Sequence, residues 1–154
     1  MNEPTADNID LAILKHLQID ASTSVEQIAE QVGLSRNACW RRIKQLESAD
    51  VIRSRVAILD PDKLGLGLLA YVHVRTSNHD AKWTAKFRAV ISTMPEIISA
   101  HRMSGDLDYV LRVRVASVKD YDRFYQTLIK GISLSDISAS FVMEDIKDTT
   151  ALPL

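Results

Sequence analysis

The 154-residue chain is 46% apolar and 25% charged, which fits one ordinary domain or two small ones and excludes disorder beyond the first few residues. It has no apolar run near the roughly 18 residues that span a bilayer. Its start, Met1, Asn2, Glu3, Pro4, lacks the basic-then-apolar order of a secretion signal, so the cytoplasm is the expected location. The single cysteine, Cys39, excludes an internal disulfide and a multi-cysteine zinc site. The histidines, His16, His73, His79 and His101, show no metal-ligand spacing, so no metal and no cofactor is expected. A net charge of −1 conceals an uneven distribution: residues 36–55 hold six basic side chains against two acidic ones, a local +4. Such a stripe on an acidic chain suits phosphate binding while limiting indiscriminate adhesion. A solvated helix face accounts for the same charges.

Asp7 predicts the cap of a helix over 8–18, with Ile9, Ile13 and Leu17 as its stripe and Leu14 beside it. Ser24, with Gln27 three residues on, predicts a capping box and a second helix whose apolar face is Val25, Ile28, Ala29 and Val32. Gly33 ends it, since glycine reaches the left-handed conformation of a helix C-terminus at little cost. Ser35 caps a third helix, running to about residue 49, with Cys39, Ile43 and Leu46 inward. Two helices joined only by Gly33, Leu34 and Ser35 have helix-turn-helix spacing, in which the second enters the DNA major groove. Ser35, Arg36 and Asn37 fall in its first turn, where open backbone N–H groups attract phosphate. Arg36 suits guanine and Asn37 suits adenine, while Arg41 and Lys44, one and two turns on, are better placed for phosphates. Trp40 is open between two roles, a DNA contact and a cover for the helical core, with core packing slightly preferred. Cys39 reads as a small core hydrophobe. The β-branched stretch 51–59 predicts a strand with Arg53 and Arg55 on one face, a basic wing that Asp60, Pro61 and Asp62 terminate.

From Leu66 the period changes to two. Leu68, Ala70, Val72 and Val74 alternate with Leu69, Tyr71, His73 and Arg75, which predicts a strand. Trp83, Phe87, Val90, Ile91 and Met94 follow helical spacing up to Pro95. Strands are predicted over 97–103 and 109–115, joined by a turn through Ser104, Gly105, Asp106, Leu107 and Asp108. Ser117 caps a helix with Val118, Tyr121, Tyr125 and Leu128 as its stripe and Gly131 as its end, and a fourth strand covers 137–143. Strand, helix, strand, strand, helix, strand is the ferredoxin-like order of two split βαβ units, with both helices on one face of an antiparallel sheet. The other face, with its Tyr, His, Met and Phe candidates, is too apolar for a small domain to leave wet. Pairing with a second copy covers it, so a homodimer through the sheet and a near-palindromic DNA site are expected. The expected division is 1–60 for a winged helix-turn-helix domain, 61–67 for a linker and 68–154 for a ferredoxin-like effector-binding and oligomerisation domain, an α+β chain.

Over roughly residues 8 to 153 the chain resembles the Lrp/AsnC family, the feast/famine regulators. The resemblance rests on Asn8, Ile9, Asp10, Leu11, Ala12, Ile13 and Leu14; on Val32 to Ser35; on Cys39 with Arg42, Ile43, Lys44, Gln45, Leu46 and Glu47; on Leu59, Asp60 and Pro61; on Gly105 to Tyr109; and on Met143 with Glu144. Each is weak alone; their order and spacing are specific together. The resemblance implies a sequence-specific DNA-binding transcription regulator, no enzyme, that responds to an amino acid or related metabolite. It implies dimers that assemble further, often to octamers, with the effector held between dimers. Ala38 departs from the proline that members often carry early in the recognition helix; alanine is a good helix former, so only base preference is touched. The alternative reading of the same stripe is an architectural, nucleoid-associated protein with weak sequence preference.

The turn at Gly105 carries the sensing expectation. Gly105 admits a positive φ and a close ligand, neighbouring N–H groups suit a carboxylate, and Asp106 or Asp108 suits an α-ammonium. A plain hairpin turn uses the same residue types, and the family resemblance tips the reading toward an effector site. His101, Met103, Ser140 and Met143 are further lining candidates, equally explained by packing. For an enzyme there is no nucleophile–base–orienter set and no Gly-rich phosphate loop.

Overall fold

The computed structural model describes residues 6–154, which fall into two compact units: the first runs to Ile58 and includes Lys147–Leu154, and the second is Leu59–Ile146. Residues 1–5 lie outside the described part.

In the first unit three helices form, α1 (Asn8–Ile19), α2 (Val25–Val32) and α3 (Arg36–Ser48). Their starts are set by side chains that replace missing backbone acceptors. Asp7 and Asp10 make one capping box, and Ser24 and Gln27 another. Gly33, at φ 70° and ψ 33°, ends α2 in the left-handed region and lets α3 begin three residues on. Asp50, at φ 55°, takes the same role after α3, where the N–H groups of Val51 and Ile52 both donate to the Leu46 carbonyl. Ile13, Leu17, Ile28, Ala29, Cys39 and Ile43 close the core. Burial pushes the Cys39 thiol pKa up, which keeps it protonated and inert. Ile9 lies at the rim of that core, not within it.

Residues 147–154 return to this unit, whereas the expected division had left them with the second domain. The contact is reciprocal. The Gln18 side-chain amide donates to the Leu152 carbonyl at 3.0 Å, and the Leu152 N–H donates back to Gln18 Oε1 at 2.8 Å. A carboxamide presents one donor and one acceptor, as a peptide group does, so Gln18 pairs with the tail as a strand would.

The strand expected over 51–59 does not form; among the described residues this stretch pairs with nothing in a sheet. Strand preference reflects a fit to a pleated, half-buried surface, and this chain provides none there: Val56 and Ile58 are about three-quarters exposed. Arg53 is therefore carried on an exposed, unpaired segment.

The second unit is a four-stranded antiparallel sheet in the order β2-β3-β1-β4, built from β1 (Leu68–Arg75), β2 (Ile97–Arg102), β3 (Tyr109–Val115) and β4 (Asp136–Phe141). The helices α4 (Ala81–Ser92) and α5 (Val118–Gly131) complete the βαββαβ order. Val72, Val74, Leu111 and Val113 of the two central strands meet Trp83, Phe87, Phe124 and Leu128 from the helices. Trp83 stacks on Phe87 at 5.0 Å, and Phe87 meets Tyr109 at 4.5 Å. The stripe of α5 is Tyr121, Phe124 and Leu128, not Val118 and Tyr125; Val118 is exposed. Gly131 stays bare because a Cβ there would sit 2.9 Å from Val90 Cγ1 of α4.

The register puts Ser99, Arg112, Tyr71 and Ser140 in one row across the face opposite the helices, and His101, Val110, His73 and Ser138 in the next. Phe141, the one phenylalanine in the predicted strands, turns to the helix side and meets Tyr121 edge-on at 5.1 Å, so it adds nothing to the open face. No helix among the described residues is long and apolar enough to cross a membrane.

Candidate DNA-binding helix and effector turn

The outward face of α3 is built by exclusion. Cys39, Ile43 and Leu46 point into the core, so Arg36, Asn37, Trp40, Arg41 and Lys44 are left outside and are all exposed. Ser35 Oγ accepts the Ala38 N–H at 3.3 Å. The N–H groups of Arg36 and Asn37, in the first turn, have no intrahelical acceptor and point off the helix start, as an anion requires. Trp40 is 52% exposed, so the preference for core packing is corrected: its ring stands on the same outward face as Arg36, one turn away.

The +4 stripe is partly spoken for. Arg42 turns to α1 and donates to Asp7 at 2.8 Å and to Asp10 at 2.9 Å, so it braces the helical unit. Glu47 accepts from Lys44 at 2.7 Å and from Arg55 at 3.1 Å. That leaves Arg36, Arg41 and Arg53 without an ion-pair partner among the described residues. Exposed pairs such as Lys44–Glu47 are worth under about 1 kcal/mol, so a phosphate competes with Glu47 for Lys44 at little cost.

The acid groups of this unit set its pH response. The Asp7 carboxyl is held below its ordinary 3.8, first by the Asp10 backbone N–H and then by Arg42. Glu47 is held below its ordinary 4.5, first by Lys44. A carboxyl with a depressed folded-state pKa stabilises the fold fully above its unfolded value, and the effect is lost as pH falls through the folded value. The helical unit is therefore expected to keep its stability down to about pH 4.5 and to lose it progressively below about pH 4. Replacing Arg42 with Met should blunt that acid slope. Circular dichroism melts between pH 3 and pH 7 check both, and an unchanged slope in the Met variant would assign the acid loss to other groups.

The effector candidates occupy one end of the second unit, with two exceptions. Gly105, at φ 116°, opens the β2–β3 turn, and a Cβ built there meets nothing within 4 Å. The Met103 N–H donates to the Asp108 carbonyl at 2.9 Å and closes the hairpin, while the Met103 side chain stays 45% exposed. His101 lies just before it on the open face of edge strand β2. Asp106 is exposed and its carboxylate has no partner among the described residues. Asp108 differs: its Oδ2 accepts the N–H of Thr76 at 2.8 Å, and its Oδ1 stands 3.9 Å from His79 Nδ1. Thr76 is buried, so this carboxylate primarily fastens the end of β1. Ser140 and the exposed Met143, which follows β4, are the exceptions. Ser140 lies on β4, the opposite edge from β2, three strand spacings or about 14 Å away. One chain does not bring Ser140 to the Gly105 turn.

Sequence reasoning missed Arg75, whose Nε donates to the Asp106 carbonyl at 2.9 Å from the end of β1. Thirty-one positions separate the two, and only the β1–β3 register, which sets Val74 opposite Tyr109, brings them together. A cavity of about 280 Å³ lined by Glu96, Arg114, Asp120, Arg123 and Phe124 lies at the other end of β3. Among the described residues no group of three or more His, Cys, Asp or Glu is placed to hold a metal ion.

Comparison with known proteins agrees with this layout. Residues 7–47 match the model of the AsnC-type helix-turn-helix domain, and residues 69–152 match that of the Lrp/AsnC ligand binding domain. The chain is 45% identical over 148 residues to a glutamate uptake regulatory protein of Zymomonas mobilis, covering 96% of this chain and 90% of that one. It is 44% identical over 149 residues to the DNA-binding transcriptional activator DecR of Escherichia coli, covering 96% and 98%. Among solved structures, an AsnC family transcriptional regulator from Agrobacterium tumefaciens superposes with a TM-score of 0.92 at 46% identity, over 96% of both chains. A Neisseria meningitidis transcriptional regulator in complex with L-methionine superposes with a TM-score of 0.92 at 33% identity, over 97% of both chains. The chain thus belongs to the Lrp/AsnC family of transcriptional regulators, with its helix-turn-helix in the first unit and its ligand-binding sheet in the second.

Proposed function

We propose that this protein is a cytoplasmic, sequence-specific transcription regulator whose hold on DNA is adjusted by an amino acid. The observation that carries the reading is the pairing of two features in one chain: a recognition helix with Arg36, Asn37, Trp40 and Arg41 all exposed, and an open, glycine-centred turn flanked by opposite charges. Arg36 and Asn37 read bases, Ser35 and the first-turn N–H groups take phosphate, and Arg41, Lys44 and Arg53 add electrostatic grip. Gly105 and Asp106 receive the amino acid, His101 and Met103 flank it, and Asp108 keeps the turn in place. No bond of the ligand is broken; it leaves as it came.

The working form in this reading is a homodimer that assembles further. Tyr71, His73 and Val110 stand on a sheet face that no helix covers, and Val56, Ile58 and Leu59 are exposed on an unpaired segment. A second copy covers such surfaces most economically. In this reading any role of Ser140 at a Gly105 turn is played from a neighbouring copy, since one chain holds its own Ser140 on the opposite edge strand. The effector couples to DNA by favouring one assembly state, which requires different ligand affinity in the two states.

The test is binding to DNA upstream of the protein's own gene, beside scrambled DNA at matched salt, with and without a pool of amino acids. The expected result is a preference for the upstream DNA that the pool changes. A preference indifferent to the pool would remove amino-acid sensing. Equal binding to both DNAs, falling with salt alone, would favour an architectural role.

A further inference from the structure

We propose that Arg75 is the receptor for the effector's α-carboxylate, and that Arg75 and Asp106 together select a free amino acid over its esters and amines. The assignment rests on the amino-acid reading given above and adds to it the residue that enforces the class.

Three observations carry it. The first is position. Arg75 Nε donates to the main-chain carbonyl of Asp106 at 2.9 Å, so the guanidinium lies against the residue whose carboxylate suits an α-ammonium. An amino acid carries its two charged groups on one carbon, so its receptor needs a cation and an anion side by side. Arg75 and Asp106 form no ion pair with each other among the described residues, and both are exposed beside one turn.

The second is spare capacity. A guanidinium has five N–H donors in a rigid fork, and one is used on Asp106. The terminal nitrogens of the exposed Arg75 have no partner among the described residues. Asp136 stands opposite Arg75 in the β1–β4 register and does not take them. With Nε committed, the two terminal nitrogens are left as a parallel pair, the geometry that a carboxylate accepts with both oxygens.

The third is rigidity. The Arg75 carbonyl accepts the Ser135 N–H at 3.0 Å, and the next residue, Thr76, is held by Asp108 at 2.8 Å. The backbone under Arg75 is thus fixed on both sides, and the Nε bond fixes the far end of the side chain. Little ordering cost remains when a ligand arrives. Asp108 is spent on this support, which leaves Asp106 as the acid for the ammonium.

The experiment uses the full-length protein and calorimetric titration. The proteinogenic L-amino acids are tested one at a time, and each that binds is compared with its α-methyl ester. The expected result is a preference for the acid of at least about tenfold, the value of one charged hydrogen bond. Arg75→Gln should bring the acid down to the level of the ester, and Arg75→Lys should keep part of the preference. Hydrogen exchange at residues 103–108 is followed in each variant without ligand. No binding by any amino acid would overturn the sensing reading itself, and the wild type alone shows that. Equal binding of acid and ester by the wild type would leave sensing intact and remove the carboxylate receptor. A preference retained in Arg75→Gln would do the same. Equal loss of acid and ester, with faster exchange at 103–108, would make Arg75 only a brace for the turn.

Discussion

Replacing Phe87 with Ala should destabilise the second unit by about 3 to 5 kcal/mol, which removes most of the margin of a domain that has roughly 5 to 15. Phe87 is among the largest fully buried side chains and sits between the Trp83 ring at 5.0 Å and the Tyr109 ring at 4.5 Å. Truncation opens a void that two large rings cannot both fill, because Trp83 is also fixed by its Nε1–H bond to the Ser133 carbonyl at 2.9 Å. For a unit of this size the loss corresponds to a fall in melting temperature of at least about 12 °C. The two tryptophans make the result readable: Trp83 is buried in the affected core and Trp40 is already half exposed in the other unit. Emission from Trp83 should shift to the red at a lower temperature while that of Trp40 barely moves. A shift in melting of only a degree or two would mean that the rings repack.

Arg36→Ala should weaken binding to the preferred DNA about 5- to 150-fold, the range of one bidentate base contact, and flatten the preference over scrambled DNA. Lys44→Ala should act differently. Lys44 is partnered by Glu47 and lies two turns from the helix start, so it contributes charge rather than base reading. Its loss should weaken all DNA alike and lower the salt slope by about one. Arg42→Ala is the informative control: its guanidinium belongs to Asp7 and Asp10, so it should lower stability and leave base preference untouched in the folded protein. Titration of each variant by fluorescence anisotropy at several salt concentrations separates the three. If Arg36→Ala and Lys44→Ala prove indistinguishable, base reading lies elsewhere on α3.

What could be read from the residues alone was the local part. Ser24 with Gln27, Ser35 and Ser117 mark helix starts because a capping side chain acts within three residues, and all three cap as expected. Period-two alternation located β1 and β3 for a similar reason, since a strand's inner face must be apolar throughout. Two kinds of feature were not legible. One is a choice between equivalent neighbours: Tyr121 with Tyr125 and Tyr121 with Phe124 are both helical spacings, and only the position of the sheet selects Phe124. The other is pairing across the chain. Arg42 looked like part of a DNA-facing stripe until α1 supplied Asp7 and Asp10 from more than thirty positions away. Asp108 looked interchangeable with Asp106 until Thr76 claimed its carboxylate. The strand expected at 51–59 failed for the converse reason: the residues have the preference, and the chain offers no neighbour to pair with.

The return of the tail to α1 has a consequence for the order in which the molecule is made. Gln18 and Leu152 are 134 positions apart, and at about 5 to 20 residues per second a ribosome needs roughly 7 to 27 seconds to travel between them. The three helices emerge first and can collapse early, yet the segment that completes their unit is translated only after the whole sheet. A nascent chain therefore carries a recognition helix before it carries the tail that Gln18 holds, and the helical unit is finished only after the sheet that follows it has been made.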